Sequence, residues 1–276
     1  MSKRSFSIPL PRCEVMAYYV TCSHLRWGDT VVDVGAHIGQ NTLLTASLVG
    51  PQGRVLAIEP VPALGHQLQD TMYEQGLNNV TLLPVAASSP ERVARQKQEL
   101  QYFYKGAAQN RLWIQPEEAR DCEKMPVVCQ TVDALTSDIP EIHLLKIDVE
   151  GCDVEVLKGA TQIIQRSRNL GVLIELWPYG LARNGSSVPE MLRILEDHGM
   201  VIYVLDELKK QPVRIDAASK LSLPRPYPDK PESISNSTVQ NLWCVRQVWD
   251  INYDIASKSK DTVGSIEILW QDGKTA

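Results

Sequence analysis

The sequence contains no Cys-x-x-Cys pair: its six cysteines, at 13, 22, 122, 129, 152 and 244, are scattered, and its five histidines do not gather beside them. That spacing excludes a zinc ribbon or finger and predicts reduced, mostly buried thiols in a cytosolic protein. No apolar run approaches ~18 residues, so no membrane span is expected. The stretch after Lys3 and Arg4, Ser-Phe-Ser-Ile-Pro-Leu-Pro, lacks an apolar core long enough for a signal peptide. Positive charge is also scarce. With 28 Lys and Arg against 33 Asp and Glu, the net charge is −5 and the pI about 5.6, which argues against general nucleic-acid binding and against a polyanionic substrate. Gly-x-Gly-x-x-Gly and Tyr-x-x-x-Lys are both missing, which disfavours a nicotinamide-dependent dehydrogenase.

What is present begins with residues 30 to 39, Thr-Val-Val-Asp-Val-Gly-Ala-His-Ile-Gly. An apolar run that ends in glycines where a helical pattern starts predicts a buried strand, a tight turn and a helix N-terminus. Gly35 and Gly39 would let the backbone approach a ligand, and the helix that follows would aim its first amides into the same gap. Asp33 lies at the strand end, as a turn or capping residue or as part of the cradle. A second strand pattern, Arg54-Val-Leu-Ala-Ile-Glu59, ends in a carboxylate before Pro60. An acid after the second strand of such a unit can accept both hydroxyls of a ribose.

Val-Val-Asp-Val-Gly-Ala-His-Ile-Gly at 31–39, Ala-Ile-Glu-Pro at 57–60, Leu-Leu-Lys-Ile-Asp-Val-Glu-Gly at 144–151 and Val-Leu-Lys-Gly-Ala at 156–160 together resemble the FkbM family of S-adenosylmethionine-dependent methyltransferases. The likeness runs over roughly residues 28–246. It implies a class I methyltransferase fold, Rossmann-like, with S-adenosyl-L-methionine as cofactor and O-methylation of a hydroxyl. The acceptors implied are a small molecule, a sugar or glycan, or a natural product.

The rest of the chain predicts the same α/β architecture, a doubly wound and mostly parallel sheet with an insertion after the third strand. Leu43, Leu44 and Leu48 form one helical face stopped at Gly50; Leu64, Leu68 and Met72 form another, stopped at Gly76. Val80–Val85 reads as a third strand, His143–Val149 as a fourth, Gly171–Leu176 as a fifth and Met200–Leu205 as a sixth. Asp153 opens a helix whose Val154, Leu157, Ile163 and Ile164 face the sheet. Ser187-Val-Pro-Glu190 is a capping box for the next helix, with Met191, Leu192 and Leu195 inward. Strands alternating with helices place ligands beyond the strands' carboxyl ends.

Residues 88–131 read as an insertion with short strands of its own, including Tyr102-Phe-Tyr104. Residues 217–238 are rich in Pro and Ser, a lid or a surface excursion, before Val239–Arg246 returns as a strand. The organisation expected is an N-terminal extension at 1–27 with a short helix over one sheet edge, a methyltransferase domain at 28–246 and a tail at 247–276. With 43% hydrophobic residues, one domain can bury the core this requires.

On the family reading, Gly35, Ala36 and Gly39 admit the methionine part of the cofactor, and Asp33 steadies the turn or meets the amino group. His37 and Asn41 line the same turn, Glu59 takes the ribose, and the adenine contact near Ala86 must come from backbone or from elsewhere. Asp148 is the first choice at the fourth strand, as cofactor contact or base, with Glu150 second and Glu175 a third carboxylate beside them. No metal is expected, because the adjacent Asp-Asn pair of catechol-type methyltransferases is missing. Lys146 is expected to pair with a neighbouring acid, and His66, His143 and His198 to be structural. No Asn-Pro-Pro-Tyr-type loop marks an amino-group acceptor. A cofactor-binding relative without catalysis is the remaining alternative, and the oligomeric state is left open.

Overall fold

The computed structural model describes residues 5–9, 14–96, 101–105, 123–207, 211–218, 239–247, 265–271 and 274–275. Its centre is an eight-stranded sheet built from β1 (Thr30–Val34), β2 (Arg54–Ile58), β3 (Val80–Leu83), β4 (Leu144–Ile147), β5 (Gly171–Leu176), β6 (Val201–Asp206), β7 (Gln211–Ile215) and β8 (Gln240–Val245). The spatial order is β7-β6-β8-β5-β4-β1-β2-β3. β3, β2, β1, β4 and β5 are mutually parallel; β8 runs antiparallel between β5 and β6, and β7 pairs antiparallel with β6. The chain therefore leaves β1 in one direction and β4 in the other, and their carboxyl ends form the switch point where such sheets bind ligands.

Two apolar layers explain why the inner strands read as nearly continuous hydrophobic runs. On one face, Val34, Ile58, Ile147, Ile174 and Leu242 pack with Val154, Leu157, Met191, Leu192 and Leu195 from the helices Asp153–Lys158 and Val188–Asp197. On the other, Val31, Val55, Leu144, Leu173 and Trp243 meet Leu44 and Leu48 of helix Gln40–Val49 and Met16, Tyr18 and Val20 of helix Val15–His24. The latter helix lies against β6 and β8. Its first turn is tied to the end of β6, where Met16 N donates to Glu207 Oε1 (2.8 Å).

Local chemistry sets the element ends. Gly50 terminates helix Gln40–Val49 with φ +66°, a conformation that costs glycine little. Ser187 Oγ accepts from Glu190 N (3.3 Å), the first half of the expected capping box. The Glu190 carboxylate instead pairs with Lys158 Nζ at 3.0 Å, so the reciprocal half is absent.

Two expectations change. The helix predicted from Asp153 through Ile164 is broken into Asp153–Lys158 and Thr161–Arg166, because the chain passes so close to Ser88 at Gly159 that a Cβ there would lie 2.2 Å from its carbonyl oxygen. The third strand stops at Leu83; Ala86–Ala87 leaves the sheet and pairs in parallel with Cys129–Gln130.

The insertion contains the hairpin Gln101–Lys105 with Glu123–Val127, and Ser5–Pro9 pairs antiparallel with Ser265–Gln271. Cys22, Cys129, Cys152 and Cys244 are free thiols. Cys13, Cys122, the Ala107–Asn110 segment and most of the Pro- and Ser-rich stretch (219–238) lie outside the described residues. Among the described residues no helix is long and apolar enough to cross a membrane.

Candidate active site

Register builds the site. Ile58, Val34, Ile147 and Ile174 are aligned across four neighbouring parallel strands, so the next residue of each, Glu59, Gly35, Asp148 and Glu175, falls in one row along the carboxyl edge. Asn241 of β8 extends the row beside Glu175. The sequence-predicted carboxylates at the three strand ends are thus brought together by pairing alone.

At the β1–β2 end, the turn is held by backbone. Gly35 N and Ala36 N both donate to Ile58 O (3.0 and 3.1 Å), and Gly39 N donates to Ala36 O (2.8 Å). Gly35 and Gly39 have φ of +78° and +92°. A Cβ at Gly35 would sit 1.9 Å from Asp148 O, and one at Gly39 would sit 2.2 Å from Leu68 Cδ1. Their lack of a side chain therefore serves close packing within the chain. No side chain caps the first turn of helix Gln40–Val49, which leaves its amides and positive dipole end to a bound anionic group.

Glu59 is buried and fully engaged at its base: Oε2 accepts from His37 N (2.9 Å) and Oε1 from Val61 N (2.8 Å). Burial pushes its pKa up, and these two amides pull it back. A carboxylate oxygen has two lone pairs, so each retains one for an outside hydroxyl. His37 is exposed, with φ +52°, and offers its amide inward.

Asp33 is 1% exposed. Its Oδ2 accepts from Thr42 Oγ1 (2.6 Å) and its Oδ1 faces Lys146 Nζ at 3.6 Å. Of the two roles open to it, the geometry supports steadying the turn, because it is too enclosed to meet an amino group directly. Ala36 is likewise buried, packing with Ala57 and Leu68. Asn41 is half-exposed in the first helical turn. The amide of Ala86 donates to Val128 O (2.9 Å).

At the β4–β5 end the electrostatics differ. Lys146 Nζ lies 3.2 Å from Asp148 Oδ2 and donates to Gly35 O (3.2 Å). Burial works against its charge, but Asp148 and Asp33, with Glu14 behind them, outweigh it and raise the ammonium above its ordinary range. The expected pairing with a neighbouring acid is thus a double one. The chain turns after β4 through Glu150 (φ +56°) and Gly151 (φ +92°), and the buried Asp153 holds that turn, accepting from Val149 N (3.2 Å) and Gly151 N (3.0 Å).

Burial, together with the charge of Asp148, raises the Asp153 pKa against the pull of those amides. Glu175 is raised well above the ordinary carboxylate range, first by burial and then by Asp148, Asp153 and Glu150, with Lys146 opposing. Its Oε2 is buried with no hydrogen-bond partner among the described residues. Glu14, at the start of helix Val15–His24, is also pushed up, by burial and then by Asp148.

Sequence reasoning did not find Thr42, Asp153's grip on the turn, or Glu14. Asp153 carried a signal, an acid two residues past a glycine turn; Thr42 and Glu14 carried none. His143 and His198 are structural, as expected: His143 Nδ1 accepts from Thr30 N (3.1 Å), and His198 Nδ1 lies 2.7 Å from Ile194 O. Among the described residues no three His, Cys, Asp or Glu side chains are arranged to hold a metal ion.

The family comparison bears on this arrangement. A family model described as a methyltransferase FkbM domain matches residues 33–202, more than half of the chain and the whole span from Asp33 to β6. The chain belongs to the FkbM methyltransferase family. S-adenosylmethionine is the cofactor that accompanies membership. Curated relatives match over shorter stretches. A protein-L-isoaspartate O-methyltransferase from Ignicoccus hospitalis is 41% identical over 69 residues, 25% of this chain and 33% of that protein. A protein-L-isoaspartate O-methyltransferase 2 from Archaeoglobus fulgidus is 36% identical over 59 residues, 21% of this chain and 27% of that protein. The match therefore spans about a third or less of these relatives. Among solved structures, the methyltransferase FkbM from Methylobacillus flagellatus aligns with 86% of this chain and 48% of its own, at 16% identity and TM-score 0.47.

The residues present fit this cofactor. An amide-anchored carboxylate at the β2 end suits a ribose diol, the uncapped helix start suits the methionine carboxylate, and a carboxylate-rich edge suits a sulfonium and an ammonium.

Proposed function

We propose that this chain is an S-adenosylmethionine-dependent O-methyltransferase acting on a hydroxyl of a small molecule, sugar or natural product. The observation that carries the reading is Glu175, a buried carboxyl with a raised pKa and an unpartnered oxygen in the same row as Asp148. A hydroxyl that accepts a methyl group must lose its proton, and a carboxylate whose proton affinity is raised by burial and neighbouring acids is a stronger base than an ordinary one. Asp148 was the first choice for this role from sequence. Its engagement by Lys146 at 3.2 Å favours a positioning part, and the unpartnered oxygen favours Glu175 as base.

The cofactor supplies an electrophilic methyl on a positively charged sulfur. The chain's own residues do the rest: Glu59 receives the ribose, the Gly35–Gly39 turn and helix start receive the amino-acid end, and Glu175 takes the acceptor proton. Charge also selects the acceptor class. The relatives named above are protein-L-isoaspartate O-methyltransferases, but an anionic acceptor would be repelled by Asp148 and Glu150, with Lys146 opposing them. A neutral hydroxyl meets no such repulsion.

The test is methyl transfer from labelled S-adenosylmethionine to a panel of hydroxylated sugars, polyketides and phenols, with an isoaspartyl peptide alongside. Transfer to hydroxyls that Glu175→Gln lowers about 10²-fold is expected. Preferential labelling of the isoaspartyl peptide would sink the proposal.

A further inference from the structure

We infer that Lys146 is a positioning residue that joins the cofactor turn to the acceptor side of the site. The inference rests on the S-adenosylmethionine reading above. Lys146 stands in the middle of an apolar strand, 7% exposed, and its single ammonium reaches three groups on two sides of the switch point: Gly35 O at 3.2 Å, Asp33 Oδ1 at 3.6 Å and Asp148 Oδ2 at 3.2 Å. Gly35 O belongs to the turn, Asp33 supports the helix start through Thr42, and Asp148 begins the loop that leads to Glu150.

The same two segments touch directly, since the Gly35 Cα faces Asp148 O so closely that a Cβ would fall 1.9 Å from it. That contact sets how near they can come. The ammonium adds to the strand ladder that limits how far apart they can drift, in which Asp148 N donates to Val34 O (3.1 Å), because its hydrogen bond and two ion pairs reach past the end of that ladder and weaken steeply with distance. The groups facing Lys146 are Asp33 from β1, Asp148 from its own strand, Glu59 and Glu175 at the ends of β2 and β5, and Glu14 and Tyr18 from the N-terminal helix. An in-line displacement is sensitive to ångström-scale misplacement of the donor against the acceptor, so a buried strut across this gap bears on methyl transfer even though it touches neither reactant.

A purely structural lysine would do no more than neutralise buried Asp33. The variant Lys146→Met combined with Asp33→Asn removes the strut and the buried charge it would otherwise strand, so that the fold is kept while the link is lost. Calorimetry on the full chain would compare two probes: S-adenosylmethionine, which reaches the Gly35 turn, and 5′-methylthioadenosine, which lacks the amino-acid end and relies on the Glu59 half.

The expected result is affinity for S-adenosylmethionine weakened about tenfold or more, with 5′-methylthioadenosine within about twofold of wild type. A smaller loss, or equal loss for both probes, would overturn the inference. If the double variant does not fold, Lys146→Gln, whose amide can reach one partner but not all three, is read by the same two limits. Wild-type protein that is folded yet binds neither probe would overturn the functional reading itself, and the inference with it. Binding in wild type with an unaffected double variant overturns the lysine's role alone.

Discussion

The two halves of the sheet's carboxyl edge are built to opposite standards. On the β1–β2 side, the acids are engaged: both oxygens of Glu59 take backbone amides, and Asp33 takes the Thr42 hydroxyl on Oδ2 and faces Lys146 with Oδ1, which makes an ion pair but no hydrogen bond among the described residues. On the β4–β5 side, Asp148, Glu150, Asp153 and Glu175 crowd together, two of them have raised pKa values, and Glu175 Oε2 has no partner. A half that binds an unvarying cofactor gains from complete preorganisation. A half that must accept a proton gains from a carboxylate whose proton affinity is raised by burial and neighbouring charge, at some expense to stability.

The largest expected effect would break the first half. Gly35→Ala places a methyl against Asp148 O in a left-handed backbone, and should destabilise the protein by about 3 kcal/mol in urea unfolding while abolishing cofactor binding. If it unfolds like wild type, the close packing of the two halves is misjudged.

Glu59→Ala is expected to weaken S-adenosylmethionine binding by about 10- to 100-fold, the scale of hydrogen bonds to a charged group, and to strand the amides of His37 and Val61. Unchanged affinity by calorimetry would remove the ribose assignment.

Glu175→Gln sharpens the contrast because its two effects have opposite signs. A carboxyl raised in the fold contributes stability below its unfolded pKa and loses it as pH rises through the folded value. The neutral variant should therefore melt a few degrees higher than wild type at pH 8 and equally near pH 4, while transferring methyl groups about 10²-fold more slowly. A melting temperature lowered at pH 8 would mean that Glu175 is a satisfied structural acid.

The smallest effect is a control away from both halves. Ser187→Ala removes the cap of helix Val188–Asp197 and should cost about 1 kcal/mol with cofactor affinity unchanged.

Much of this was legible in the chain. Apolar runs ending at Val34, Ile58, Ile147 and Leu176 marked the inner strands, because a sheet covered on both faces favours hydrophobic side chains on both of them. Asp33, Glu59, Asp148 and Glu175 were visible because an acid is conspicuous at the end of such a run. The glycines stood out too, but not their packing: that a side chain at either one would meet Asp148 or Leu68 depends on segments distant in sequence.

What tertiary structure alone decided are the relations between distant segments. Strand order was one, since nothing local places β8 between β5 and β6 or sends Ala86–Ala87 out of the sheet to Cys129–Gln130. The break at Gly159 was another, imposed by Ser88 from 71 residues away in sequence numbering, 159 minus 88. The ionisation of the site was the third. A carboxylate's pKa follows from the water it has lost and the charges around it, and for Glu175 those charges come from β4, its turn and the following helix. The sequence by itself specified which residues could bear the chemistry, through patterns of a few residues. Only their convergence at one edge decided that one acid is satisfied and another is not, because burial and Coulomb interaction depend on distance in space.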